Sequence, residues 1–212
     1  MCDKQAAALI IENIAMLEDA MRLLNGELSE SVFSAIDRTI EAWAAGMEWD
    51  GCFEFWTEDS GTSFGPGQWQ TGEQRDWIAY FSIDVIDDDD EEWLTALLAA
   101  RQSRIIFKFC FDRAQLPNAT RRALNHFVRQ INRKPEYAGI ERAGFRFDRA
   151  EGSWHLPWTI DAKLLAETYV NDTIEDALEP VRKALEKIND VYPLFARIVE
   201  SAREQFGANN DA

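Results

Sequence analysis

Apolar residues recur at helical spacing through the first fifty positions. Between Lys4 and Asn25, the residues Ile10, Ile14, Leu17, Met21 and Leu24 follow at steps of four, three, four and three, which lines one face of an amphipathic helix. Asn25-Gly26 ends that helix. A second is predicted from an N-cap at Ser29 or Ser31, with Phe33, Ile36, Ile40, Trp43 and Met47 on one face. Residues 1–50 therefore read as an N-terminal helical hairpin that packs on the sheet or joins two copies of the chain. After Gly51 the period changes from helical to alternating. Cys52–Thr57 reads as a first strand, and residues 60–72, with Gly61, Gly65, Pro66, Gly67 and Gly72, read as a loop carrying Phe64 and Trp69. Trp77–Ile86 is apolar on both faces near its start, as in a covered central strand, and runs straight into Asp87, Asp88, Asp89, Asp90, Glu91 and Glu92.

Beyond this acidic block, Trp93–Ala100 reads as a helical turn, and Ile105–Phe111 alternates most clearly, with Ile105, Phe107, Phe109 and Phe111 on one side. Residues 118–134 predict a helix with Leu124, Phe127 and Ile131 inward and a basic stripe of Arg122, His126, Arg129 and Arg133 outward. Gly144–Asp148 and Trp154–Ile160 form a hairpin pattern, and Asp161 caps a short helix. Thr173 starts a longer helix, in which Pro180 marks either a kink or the first turn, and a last helix begins near Pro193. The fold class is α+β: a central antiparallel or mixed sheet of about five strands with the N-terminal hairpin and C-terminal helices outside it. Residues 51–206 form the core unit and residues 207–212 a frayed tail.

Composition sharpens this picture. The chain is 46% hydrophobic with eight Trp and thirteen Phe, so despite a net charge of -16 it folds around a large core. The charge is uneven: residues 51–100 hold one basic residue against twelve acidic, and residues 101–150 hold twelve basic against four acidic. An acidic surface of this kind disfavours polyanions over most of the molecule and suits a basic partner. Cys2, Cys52 and Cys110 are odd in number and lack CxxC spacing, so reduced thiols are expected. The first residues lack a signal-peptide pattern and no apolar run is long enough to span a bilayer, so a cytoplasmic location without membrane contact is expected.

Chemical signatures are sparse. His126 and His155 have no metal-ligand spacing, the acidic run lacks the glycine of a calcium loop, and neither a GxSxG nor a phosphate loop is present. No catalytic residue, metal or cofactor is expected. A metal-dependent nuclease core would need an acid on one strand and acid-x-Lys on the next. Asp84 and Lys108 occupy suggestive positions, yet the residue two before Lys108 is Ile106, which cannot ligate a metal. Trp77-Ile-Ala-Tyr-Phe, the Ile105–Phe111 strand, Gly144-Phe145 and Trp154-His-Leu-Pro-Trp158 resemble the skeleton of non-catalytic accessory domains found with bacterial and phage PD-(D/E)XK-type nuclease proteins, over residues 77–200. The resemblance implies a non-catalytic module in a defence or mobile-element setting.

The expected function is a non-enzymatic, acidic protein-binding module: an inhibitor, immunity or phage/defence-related protein. Its partner-binding residues are Asp84, Asp87, Asp88, Asp89, Asp90, Glu91 and Glu92, with Glu54, Glu58 and Asp59 contributing and Trp93 and Trp69 as aromatic anchors. The alternatives are a degenerate nuclease-like protein, or nucleic-acid binding through a basic patch of Arg121, Arg122, Arg129 and Arg133. A basic protein is favoured over nucleic acid as the partner, and homodimerisation through the N-terminal or C-terminal helices remains open.

Overall fold

The computed structural model describes residues 4–55, 61–71, 76–86 and 93–207. Alternation of apolar residues builds the sheet. Six strands, β1 (Trp49–Glu54), β2 (Gly61–Pro66), β5 (Ala79–Ile86), β6 (Arg104–Phe111), β7 (Arg146–Asp148) and β8 (Ser153–Pro157), pair antiparallel throughout in the order β1-β2-β5-β6-β8-β7. A separate two-stranded ribbon, β3 (Gln70–Thr71) with β4 (Asp76–Trp77), lies between β2 and β5 in the chain. The architecture is α+β, with one strand more than the sequence pattern predicts. The additional strand is β2, inside the segment expected to be a loop. Phe64 of β2 is fully buried, and Gly65 lets aromatic rings lie on the backbone: a Cβ there would stand 3.0 Å from the Trp77 ring and 3.4 Å from that of Trp69.

One face of the sheet is apolar and rich in aromatic rings. Phe64, Phe81, Phe107, Phe109 and Trp154 are buried on it beneath α3 (Ser29–Gly46) and α8 (Glu179–Phe206). Phe195 of α8 sits at the centre of the packing, its ring 4.3 Å from Phe109, 5.2 Å from Phe145, 5.3 Å from Phe81 and 5.9 Å from Trp154, in edge-on and tilted geometries suited to aromatic quadrupoles. At the other end of the sheet α3 adds Trp43 against Trp49 and Phe64, and Phe33 against Phe55. Asp37 of α3, 7% exposed, ties helix to sheet by accepting from Phe55 N at 2.8 Å and from the Thr62 hydroxyl. Burial raises its pKa above the usual 3.8, against the opposing pull of these two hydrogen bonds.

The remaining helices are α4 (Trp93–Leu97), α5 (Arg121–Ile131), α6 (Ala138–Arg142) and α7 (Ala162–Val170). Thr120 caps α5 and Asp161 caps α7. The last helix differs from expectation in its continuity. Pro180 lies in its first turn, one of the two readings above, whereas Pro193 falls in its interior instead of opening a new helix. Val191 and Phe195 are both buried, so the halves on either side of the proline are clamped to the same core and the helix runs through.

The N-terminus departs further from the predicted hairpin. Helices α1 (Lys4–Glu12) and α2 (Ile14–Leu23) lead into a π-type turn at Leu24–Leu28, where Gly26 leaves helical dihedrals (φ -126°, ψ -115°), and α3 follows at once. Only α3 contributes buried residues; α1 and α2 contribute none. The bend at Gly26 redirects the chain without laying α2 on the sheet. The expected frayed tail falls outside the described residues from 208 onward. Replacing Phe195 by Ala is expected to lower unfolding free energy by about 3–5 kcal/mol, read from urea denaturation; a loss below about 1 kcal/mol would show that its ring is not the centre of the core.

Candidate functional site

The opposite face of the sheet is polar, and the register aligns its side chains. Cys52 of β1 stands across from Ser63, Ser63 from Ser82, Ser82 from Lys108, Lys108 from His155, and His155 from Arg146, so one row crosses all six strands. Residues two positions along a strand share this face, which adds Tyr80, Asp84, Cys110, Ser153 and Asp148 to it. Tyr80 walls two clefts. One, of about 320 Å³, is bordered by Ser63, Asp76 and Asp112; the other, of about 310 Å³, by Lys108, Cys110, Arg121, Asn125 and Glu151.

Lys108 is the electrostatic centre of the face. Its ammonium lies 2.8 Å from Asp84 Oδ2 and 2.7 Å from Glu151 Oε2. Burial alone would lower its pKa, but these two carboxylates outweigh burial and hold it above the usual 10.5, so it stays charged. Asp148, the last residue of β7, accepts from Ala150 N at 2.6 Å and Glu151 N at 3.2 Å in the turn that follows, which fixes Glu151 beside Lys108. His155 is 6% exposed and its Nε2 lies 2.8 Å from Ser153 Oγ. Burial lowers its pKa, the Asp148 charge opposing and the Lys108 charge reinforcing, so it is neutral at pH 7. Burial also pushes the Cys110 thiol up to about 11, while the neighbouring Cys110, and then burial, raise Tyr80.

These protonation states limit the chemistry available. A thiol with so high a pKa is a poor nucleophile, a salt-bridged ammonium is not a base, and Ser153, paired with His155, is only 2% exposed. Asp148, Glu151 and His155 do offer one ligand atom each within 4.8 Å of one another, enough for a three-ligand divalent site. However, the Lys108 ammonium already occupies Glu151, so the group stands as a salt-bridged polar layer. The sequence pattern made only the Asp84–Lys108 neighbourhood visible. Asp148, Glu151 and His155 were missed because β8 inserts between β6 and β7, a pairing with no local signal.

The residues singled out from sequence divide into four sets. Trp69 is 2% exposed, packed against Phe81, Phe109 and Tyr192; this corrects its expected role as a surface anchor, because the sheet and α8 absorb the ring. Trp93 is exposed and meets Phe55 edge-on at 4.5 Å. Asp84 belongs to the Lys108 network rather than to a free acidic patch, and Asp87–Glu92 lie outside the described residues, as do Glu58 and Asp59. Arg121, Arg122, Arg129 and Arg133 are exposed along α5 and just after it, and among the described residues no ion pair reaches them; Arg129 donates to the Arg149 carbonyl at 2.6 Å.

Comparison with protein-family models, with curated proteins and with solved structures gives no match. The functional reading therefore rests on this geometry.

His155 carries a pH dependence. Because its folded pKa lies below the usual 6.5, the unfolded chain binds the extra proton first, and stability present above pH 6.5 is lost as pH falls through that value. Urea midpoints measured from pH 7.5 down to 5.5 should fall more steeply for the wild type than for His155→Gln; parallel profiles would count against a buried neutral imidazole.

Proposed function

We propose that this protein is a non-enzymatic binding module that presents one acidic edge of its sheet to a basic protein partner, as an inhibitor, immunity or phage/defence-related protein does. The observation that carries this reading is the Phe55–Trp93 contact. β1 and β5 are both antiparallel to β2, so they run in the same direction and end at the same edge. Residues 56–60, with Glu58 and Asp59, follow β1 in the chain, and residues 87–92, six consecutive acids, follow β5. Charge concentrated at one edge speeds encounter with a basic surface, and an exposed aromatic next to it supplies an anchor. The inert protonation states around Lys108 support the non-enzymatic part of the reading, as does the sequence resemblance to non-catalytic accessory domains.

The test is kinetic. A partner is captured by a photo-reactive side chain at position 93, and its association with the wild type is compared with a variant in which Asp87–Asp90 become Asn and Glu91 and Glu92 become Gln. Association at low salt should slow by about tenfold or more and lose most of its salt dependence, with little change in dissociation. An equal association rate would sink the proposal.

A second reading is favoured by one observation: the arginines of α5 are exposed and lack ion pairs among the described residues. A helix carrying Arg122 and Arg129 on one face, with Arg133 just beyond its end, can contact phosphates. In that case a short duplex DNA should bind with a steep salt dependence, and Arg122→Ala and Arg129→Ala should each reduce the log–log salt slope by about 1. Absence of binding at about 50 mM salt would eliminate this reading.

A further inference from the structure

Helix α5 packs at the end of the sheet where β6 finishes and β8 begins. Its Phe127 meets Phe111 edge-on with ring centroids 6.4 Å apart, and Asn132 Oδ1, just past the helix, accepts from Trp154 Nε1 at 3.1 Å. The approach depends on Gly152, just ahead of β8: at φ +73°, a Cβ there would lie 2.9 Å from Asn125 Oδ1 and 3.0 Å from Val128 Cγ2. Two adjoining clefts result. One, of about 860 Å³, lies over the exposed side of α5 and is lined by Arg121, Arg122, His126 and Arg129. The other is the cleft of about 310 Å³ on the polar face, walled by Tyr80, Phe111 and Leu124. Arg121 and Asn125 line both, so the two spaces meet at these side chains. Both volumes fall within the roughly 300–1,000 Å³ of small-molecule sites.

The clefts differ in what they offer a ligand. Arg121 and Arg122 are exposed and have neither an ion pair nor a hydrogen bond among the described residues, so the outer cleft presents uncompensated positive charge. In the inner cleft Lys108 is neutralised by Asp84 and Glu151, and an anion placed there would meet the Glu151 carboxylate. The inner space suits an uncharged planar group, because the Tyr80 and Phe111 rings and Leu124 supply apolar surface. At the junction the half-buried Asn125 amide has no hydrogen-bond partner among the described residues, and it offers both a donor and an acceptor to the edge of a heterocycle. A ligand that satisfies both clefts is anionic at one end and a hydrogen-bonding heterocycle at the other. We propose that the joined clefts bind a nucleoside phosphate, with its phosphates on Arg121 and Arg122 and its base between Tyr80 and the Asn125 amide. A small anion responds chiefly to charges within about a Debye length, ~10 Å at 0.1 M salt, where these arginines dominate, whereas a duplex meets more of the chain's net charge of -16. The site is independent of the acidic edge and of duplex binding.

Isothermal titration of the full chain with ADP, adenosine and inorganic phosphate at about 50 mM salt tests this. ADP should bind one to one and at least about tenfold more tightly than either fragment, because only the nucleotide spans both clefts. Arg121→Ala should weaken ADP binding by about tenfold or more, through loss of a charge-assisted hydrogen bond. Asn125→Ala should weaken it by about fivefold, with both variants measured well below their unfolding temperatures. No ADP binding at about 1 mM, phosphate binding as tight as that of ADP, or ADP binding that either substitution leaves unchanged would overturn the inference. Duplex binding without ADP binding would overturn it too, while leaving α5 as a surface for nucleic-acid backbones.

Discussion

The placement of one phenyl ring governs the rest of the molecule. Phe195 touches rings from β5, β6 and β8 and the buried Phe145 ahead of β7, so a single side chain of α8 fixes the helix relative to the middle of the sheet. The sheet cannot slip register beneath it, because a shift of one residue in β6 would turn Phe109 to the polar face and bring Lys108 or Cys110 under the helix. The row from Cys52 to Arg146 exists only in this register. Aromatic packing on one face thus sets the order of polar groups on the other.

That polar face illustrates how burial can quiet reactive side chains. Cysteine, tyrosine, lysine, serine and histidine stand together, a combination that serves catalysis when solvent access and pKa shifts favour it. Here the shifts run the other way for thiol and phenol, and the lysine is held by two acids. The proximity of such groups identifies a site, and only their protonation identifies what the site can do.

The alternating strands β5 and β6 were legible in the sequence because their inward residues are large and aromatic, and the inward face of α5 because Leu124, Phe127 and Ile131 keep strict spacing. β2 was not legible: its glycines and proline speak locally for a loop, and what makes it a strand is its pairing with β1 on one side and β5 on the other, which its own residues do not signal. The same holds for Trp69, whose burial depends on Tyr192 of α8. Asp84 and Lys108 could be brought together by reading adjacent strands in order. Glu151 and His155 could not, since strand order β6-β8-β7 leaves no trace in hydrophobic periodicity. The bend at Gly26 was visible as a helix end, but its direction depends on backbone dihedrals that the sequence does not encode by pattern.

The two borders of the sheet limit how these molecules can meet. At one border β7 is three residues long and carries Arg146 and Asp148; at the other β1 carries Asp50 and Glu54. Short or charged borders resist strand-to-strand docking, the route by which sheets polymerise into fibrils. Such borders disfavour a shared ladder of backbone hydrogen bonds between copies of this chain and favour contacts formed by side chains.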